Sequence, residues 1–140
     1  MKILIAADGS PFTKRMLGYL AAHDEWLGQH HQYTVLTVHA PLPPHAASAV
    51  GREACDRYYQ EEAAAVLEPV RRFFEQQGLQ AQFQSKVGGV AATIAETADH
   101  GGFDLVLMGS HGHGSLATLV LGSVTAKVLS LTRTPVLVVK

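Results

Sequence analysis

Short apolar runs alternate with segments of helical length along this chain, and that alternation limits the possible folds more than any other feature. The runs predicted to be strands are residues 3–7, 33–39, 79–87, 103–108 and 136–139. The first and fourth are apolar at nearly every position, as in parallel strands that are buried on both faces. The sequence therefore predicts a Rossmann-like α/β fold, with a five-stranded parallel sheet and helices on both faces.

Helix signals fill the connections between these strands. Ser10 and Pro11 predict a helix that begins with Ser10 as N-cap and continues to about residue 27. A long amphipathic helix is predicted over residues 51–77, and Pro69 within it predicts a kink or a break. Shorter helices are predicted around residues 91–98 and over residues 124–131. Residues 40–50 contain three prolines and predict a mobile, irregular connector.

Composition limits the classes of partner. The 140 residues, 47% hydrophobic and 16% charged, predict one domain over residues 1–140. A net charge of −1 provides no basic field for nucleic acid. The single cysteine, Cys55, predicts a reducing compartment and an inert thiol. With neither a signal peptide nor an 18-residue apolar span, we expect a cytoplasmic protein with no membrane partner.

Residues 103–123 contain the motif that indicates a ligand-binding function. The strand in this stretch is followed by a glycine-rich loop, Gly109-Ser110-His111-Gly112-His113-Gly114-Ser115. Glycine permits positive φ and lets a ligand approach the backbone closely. Gly122-Ser123 then precedes a helix, with Ser123 predicted as its cap, and a helix N-terminus presents free N–H groups to anions. This order of elements predicts a phosphate-binding loop.

Three familiar loops of this kind do not fit. A Walker loop needs Lys-Ser or Lys-Thr where Ser115-Leu116 stand. A dinucleotide fingerprint at residues 112–117 lies too near the C-terminus for a complete βαβ unit to follow. A hydrolase elbow needs G-x-S-x-G, and Gly109-Ser110-His111-Gly112 is one residue short of it. We also expect the Ser110 and His111 side chains to point apart in an extended loop.

The pattern that does fit is G-x2-G-x9-G-[ST], formed by Gly109, Gly112, Gly122 and Ser123. With its flanking strand and helix, it resembles the ATP-binding signature of the universal stress protein family. The resemblance extends from Ala7-Asp8-Gly9-Ser10 to the closing apolar run. It implies an adenine nucleotide alpha-hydrolase-like sheet of order 3-2-1-4-5, in which Asp8 and the Gly109 loop face each other across a crevice.

The same resemblance implies roles for particular residues. Ala6, Ala7 and Asp8 would lie near adenosine, with Asp8 accepting from ribose hydroxyls, a role that suits a carboxylate. The alternative is that Asp8 only caps its own turn. Val38 would pack on adenine and bond it through its backbone. The implied phosphate contacts come from Gly109, Ser110, His111, Gly112, His113, Gly114, Ser115, Gly122, Ser123, Val124 and Thr125.

His113 stands where many relatives carry Arg or Lys. A histidine carries only partial charge at neutral pH, so the phosphates would depend more on Mg²⁺ or Mn²⁺, and affinity would rise as the pH falls. His111 and His113 also suggest a zinc pair, but a pair without cysteines or a carboxylate cluster makes a weak case.

The resulting expectation is an ATP-binding stress-response or signalling module, with ADP or AMP as other possible ligands. Catalytic residues are not evident, and no Lys or Arg occurs between Lys86 and Lys127, so we expect at most slow ATP hydrolysis. The alternatives are a nucleotide-independent dimeric interaction protein and a small nucleotide hydrolase. The apolar last strand, Val136–Val139, predicts an exposed edge, and the resemblance implies a homodimer that pairs through it. The sequence does not identify a protein partner.

Overall fold

The computed structural model describes residues 1–114 and 120–140, and it confirms the predicted alternation with one additional helix. The elements are β1 Lys2–Ala6, α1 Pro11–Ala21, β2 Gln32–His39, α2 Pro44–Val50, α3 Arg52–Gln76, β3 Ala81–Val87, α4 Val90–His100, β4 Leu105–Gly109, α5 Ser123–Leu131 and β5 Val136–Val139. In these two ranges, no helix combines the length and the hydropathy needed to cross a bilayer.

The five strands form one parallel sheet in the order β3-β2-β1-β4-β5, as predicted. The central strand β1 pairs with β2 on one side and β4 on the other, so that Ile5 lies beside both Val35 and Leu107. Strand β3 forms one edge of the sheet, and β5 forms the opposite edge. Because β1 and β4 are buried on both faces, their sequences are apolar at almost every position.

Two hydrophobic clusters cover the two faces of the sheet. Odd-numbered positions of β1 and β2 point toward α1 and α3, where the core includes Ile3, Ile5, Val35, Met16, Leu20, Val70 and Phe74. Even-numbered positions point toward α4 and α5, where it includes Leu4, Leu36, Val106, Met108, Ala91, Ile94, Ala98 and Val128. The period of two along each strand therefore divides the helices between the faces.

Helix α1 is shorter than predicted because it ends at Ala21 instead of residue 27. The segment that follows is held in turns by the hydroxyl of Tyr33, a residue only 3% exposed. That hydroxyl accepts from the Gly28 N–H at 2.8 Å and donates to the Trp26 carbonyl at 2.9 Å. Burial raises the pKa of the Tyr33 phenol, which keeps this donor protonated. The end of α1 therefore coincides with a segment whose turns bond the buried Tyr33 of β2.

The connector over residues 40–50 was predicted to be irregular, and this is wrong for its second half. Pro43 and Pro44 begin α2 because proline suits the start of a helix, and the Leu42 N–H donates to the Tyr59 hydroxyl of α3 at 2.8 Å. Helix α3 continues through Pro69, so the predicted break is absent. The turn after Pro69 is anchored by Val70, which is 1% exposed.

Candidate functional site

A cavity of about 390 Å³ lies at the carboxyl ends of β1 and β4. These strands are neighbours, but β1 leads into α1 on one face of the sheet and β4 is followed by α5 on the other. Such a switch point leaves a crevice between the two connections. The predicted site residues that line it are Ala6, Ala7, Asp8, Val38, Gly109, His111, Gly112, His113, Gly114, Gly122, Ser123, Val124 and Thr125.

Two predicted site residues are not among those lining the cavity. Ser110 is buried, at 1% exposed. Ser115 lies outside the described residues. Five further residues line the cavity without having been predicted: Thr13, Leu36, Val90, Ile94 and Met108.

Four of these five form an apolar wall on the α4 side. Leu36 and Met108 occupy even-numbered positions of β2 and β4 and belong to the cluster under α4 and α5. Their position was readable from sequence, because Leu36 precedes Val38 by two residues and Met108 immediately precedes Gly109. Val90 and Ile94 lie on α4, and only the packing of α4 against the sheet brings them to this crevice.

The backbone of Val38 faces the crevice. In the ladder between β1 and β2, the Leu36 carbonyl accepts the Ala7 N–H at 3.0 Å, whereas the His39 carbonyl accepts from Gly88 on the β3 side. Backbone groups alternate between the two sides of a strand, so those of Val38 point in the same direction as those of Leu36. Since β1 ends at Ala6, the Val38 N–H and C=O point past its end into the cavity.

Asp8 caps its turn, as one of the two interpretations of the sequence holds, and it also lines the cavity. Its Oδ1 accepts from the Ser10 N–H at 2.9 Å and from the Thr13 hydroxyl at 3.0 Å. Its Oδ2 accepts no hydrogen bond from any described residue and lies beside the Gly112 Cα. One carboxylate oxygen therefore holds the loop, and the other faces the crevice.

The prediction that the Ser10 side chain caps α1 is wrong. Ser10 occupies the N-cap position of α1, but its hydroxyl makes no cap hydrogen bond. That hydroxyl is buried, and no described residue bonds it. The Asp8 carboxylate bonds the Ser10 N–H instead, and the Ser10 carbonyl accepts the Thr13 N–H at 3.0 Å.

Three hydrogen bonds hold the glycine loop, two of them to the start of α5 and one to β5. Ser110 donates its N–H to the Val139 carbonyl and accepts from the Gly122 N–H, each at 2.8 Å. The Thr125 hydroxyl donates to the Gly109 carbonyl at 2.9 Å. Gly122 is the N-cap and Ser123 is the first residue of α5, so the prediction of Ser123 as cap is wrong. The first N–H groups of α5 have no partner within the helix and adjoin the cavity.

Each glycine of the signature occupies a point of close approach. A Cβ on Gly109 would lie 2.7 Å from the Phe12 Cβ, and one on Gly112 would lie 2.5 Å from the Asp8 Oδ2. A Cβ on Gly122 would lie 3.0 Å from the His111 Cα. Atoms at such distances collide, so the spacing of the signature reflects how two loops and a helix start converge on one crevice.

Ser110 and His111 do not point apart, contrary to the prediction. The Ser110 Oγ and the His111 Nδ1 share a hydrogen bond of 2.9 Å. The loop is not extended here, because backbone bonds to Val139 and Gly122 hold Ser110 on both sides. The His111 ring also packs on Phe12, with ring centroids 5.0 Å apart.

His113 joins the two loops that border the crevice. Its Nε2 donates to the Asp8 carbonyl at 2.7 Å, and its side chain is exposed. Over residues 1–114 and 120–140, no three His, Cys, Asp or Glu side chains converge on a metal-binding arrangement. The polar groups that the described residues place around the crevice are backbone N–H and C=O groups, hydroxyls, the imidazoles of His111 and His113 and the carboxylate of Asp8.

Comparison with known proteins gives a consistent family. The universal stress protein family model matches residues 1–140. The chain is 31% identical over 142 residues to a universal stress protein of Thermus aquaticus, covering 99% of this chain and 97% of that protein. It is 32% identical over 136 residues to Slr1230 of Synechocystis, covering 97% of this chain but 41% of that protein. The chain thus spans less than half the length of that longer relative.

Solved structures share the fold. The structure of the protein MJ0577 superposes with a TM-score of 0.83 at 28% identity, covering 99% of this chain and 94% of that one. A universal stress protein solved in complex with cAMP gives a TM-score of 0.70 at 21% identity, covering 100% and 97%. A family member from Arabidopsis thaliana with AMP bound gives 0.70 at 16% identity, covering 100% and 91%.

Proposed function

The chain belongs to the universal stress protein family, and from this premise we propose that it binds an adenine nucleotide, with ATP as the resident ligand, in the crevice between β1 and β4. One observation carries the proposal. A single cavity combines the backbone N–H and C=O of Val38, a carboxylate oxygen of Asp8, and the N–H groups of the glycine loop and of the start of α5. These groups match the base, the sugar and the phosphates of a nucleotide in turn.

The base would bind against the apolar wall. Val38, Leu36 and Ile94 present aliphatic surface of the kind that packs on a purine ring. The Val38 N–H and C=O supply one donor and one acceptor at the edge of that surface, which suits the alternating donors and acceptors on the edge of adenine. The family members with bound AMP and cAMP support a nucleotide of this base.

The ribose and phosphates would bind toward the glycine loop. Asp8 Oδ2 is an acceptor for ribose hydroxyls, and the N–H groups from Gly112 to Gly114 and at the start of α5 suit phosphate oxygens. No Lys or Arg lines the cavity, and the sequence of residues 115–119 contains none. We therefore propose that Mg²⁺ or Mn²⁺ accompanies a triphosphate and is held by the phosphates rather than by protein side chains.

The direct test is to identify the ligand of protein purified without added nucleotide. The protein is denatured and the supernatant is resolved by chromatography and mass spectrometry, with about one ATP expected per chain for a single filled site. Release of AMP or cAMP instead would keep the adenine site and change the ligand. An empty protein that also fails to bind Mg-ATP in calorimetry would overturn the proposal and leave a nucleotide-independent interaction module.

We propose that the bound nucleotide biases conformation or partner choice in a stress-response or signalling role, with at most slow hydrolysis. Fast phosphoryl transfer needs a cation at the developing charge and a group that orients water. The crevice contains no Lys or Arg in its lining, and its one carboxylate already holds a turn. Single-turnover assays with labelled ATP should show release of phosphate far slower than binding. Rapid turnover would favour the hydrolase alternative.

We further propose that residues 1–140 form one cytoplasmic universal stress protein domain that dimerises through β5. The Pro135 and Val139 carbonyls bond toward β4, so the alternate residues Val136 and Val138 direct their N–H groups to the outer edge. Val138→Pro removes one outward N–H and leaves the β4 ladder intact. Light scattering should report a dimer for the native chain and a monomer for this variant. An unchanged dimer in the variant would contradict pairing through this edge.

A further inference from the structure

Thr13 makes both of its side-chain hydrogen bonds to one residue. It lies in the first turn of α1, is 6% exposed and lines the crevice. Its Oγ1 donates to the Asp8 Oδ1 at 3.0 Å and accepts from the Asp8 N–H at 3.2 Å. A buried hydroxyl with both functions directed at one aspartate suggests that the position of that aspartate matters.

The consequence concerns the two oxygens of the Asp8 carboxylate. A carboxylate turns readily about its terminal bond, because that torsion is broad and two-fold. Two donors on Oδ1, the Ser10 N–H at 2.9 Å and the Thr13 hydroxyl, remove this freedom. Oδ2 is then fixed beside Gly112, on the cavity side, where no described residue bonds it.

We propose that Thr13 is a positioning residue that sets the preference of the site for a ribose bearing free hydroxyls, because it holds Asp8 so that Oδ2 faces the sugar. The inference rests on the proposed function. It goes beyond it by assigning sugar selectivity to a residue outside the glycine signature. Ser10 contributes only a backbone N–H, which other residues supply equally, whereas the second donor on Oδ1 requires the side chain at position 13.

Thr13→Val removes the hydroxyl at nearly constant volume, and Thr13→Ser keeps it. Calorimetry would compare ATP with 2′,3′-dideoxy-ATP, which lacks both ribose hydroxyls. The native chain should prefer ATP. Thr13→Val should weaken ATP binding roughly tenfold, because the Asp8 carboxylate is then no longer held in position to bond the ribose hydroxyls. Binding of the dideoxy nucleotide should change little. Thr13→Ser should keep the preference.

Thr125→Val is the matched control, because it removes another buried hydroxyl of the same crevice. Thr125 is 2% exposed and bonds the Gly109 carbonyl at the phosphate end. Loss of this hydroxyl should lower the affinities for ATP and 2′,3′-dideoxy-ATP by similar factors, so the ratio of the two Kd values should not change. This separates a defect in sugar recognition from a general loosening of the site.

Each outcome decides the inference. If Thr13→Val still prefers ATP, or if its affinity for both nucleotides falls equally, the proposed role of Thr13 is wrong. The proposed nucleotide site is not affected by either result. A native chain that binds neither nucleotide overturns the proposed function itself. If Thr13→Val does not fold, Thr13→Ala removes the same hydroxyl without placing a methyl group where Oγ1 was. The ratio of the Kd values for ATP and 2′,3′-dideoxy-ATP then tests the inference in the same way.

Discussion

Asp8 and Asp99 lie at opposite ends of the sheet, and their carboxylates are used differently. Asp99, near the end of α4, accepts from the Thr132 hydroxyl at 2.6 Å, the Thr134 hydroxyl at 2.8 Å and the Arg133 N–H at 3.1 Å. The Thr132 bond is the main reason that the pKa of Asp99 falls to about 2. Asp8 has donors on Oδ1 alone among the described residues.

The contrast separates a structural carboxylate from one that is available to a ligand. Both oxygens of Asp99 accept bonds, and these bonds join α4 to the turn before β5. Asp8 has the same kind of turn contacts, but half of its acceptor capacity is directed at a cavity. The number of donors on each oxygen, rather than the residue type, distinguishes the two sites.

Removing Asp8 should have the largest effect on nucleotide binding. Asp8→Ala deletes the proposed ribose acceptor and the cap of the turn, and we expect ATP affinity to fall roughly 100-fold in calorimetry. Asp99→Asn is the matched control at the other end of the sheet and should change the Kd little. Equal losses in the two variants would show that both act through stability of the fold alone.

Gly112→Ala should have the next largest effect, because it moves Asp8 Oδ2 without deleting it. The new Cβ would lie 2.5 Å from that oxygen, so the carboxylate or the loop has to shift. We expect about a tenfold loss of ATP affinity, from one misplaced charged hydrogen bond. Gly18→Ala, in open space on α1, is the control and should bind normally while gaining about 0.5–1 kcal/mol in unfolding free energy.

A cation at position 113 should have a smaller effect of opposite sign. His113→Lys places a full positive charge near the proposed phosphates, which at a solvated distance of about 4 Å is worth about fivefold in ATP affinity. Calorimetry at one pH compares the ATP affinity of the native chain with that of the variant. A variant that binds ATP no more tightly than the native chain would contradict a phosphate contact at position 113.

Asp99→Asn should leave binding unchanged and alter acid stability instead. The folded pKa of Asp99 is about 2, below its ordinary value of 3.8, so its contribution is present above pH 3.8 and is lost as the pH falls toward 2. The variant should have a lower Tm than the native chain at neutral pH, and the difference should shrink across that window. A constant difference from pH 6 to pH 2 would show that ionisation of Asp99 plays no part.

The repeating pattern of the chain was readable from sequence because its causes are local. An apolar run buried on both faces identifies β1 and β4 without any knowledge of neighbours, and the spacing of Ala91, Ile94 and Ala98 identifies the buried side of α4. The glycine signature was found in the same way, since its members occupy one loop and one helix start. Sheet order came from family resemblance, and the structure confirmed it.

Tertiary structure decided everything that depends on contacts between distant segments. The Gly122 N–H bonds the Ser110 carbonyl of the glycine loop, and Gly122 rather than Ser123 is the N-cap of α5. Thr13 lines the crevice, and its hydroxyl bonds Asp8 across the turn between β1 and α1. Which Asp8 oxygen faces the cavity depends on hydrogen bonds and packing that form only when β1, α1 and the glycine loop meet, so no pattern along the chain records it.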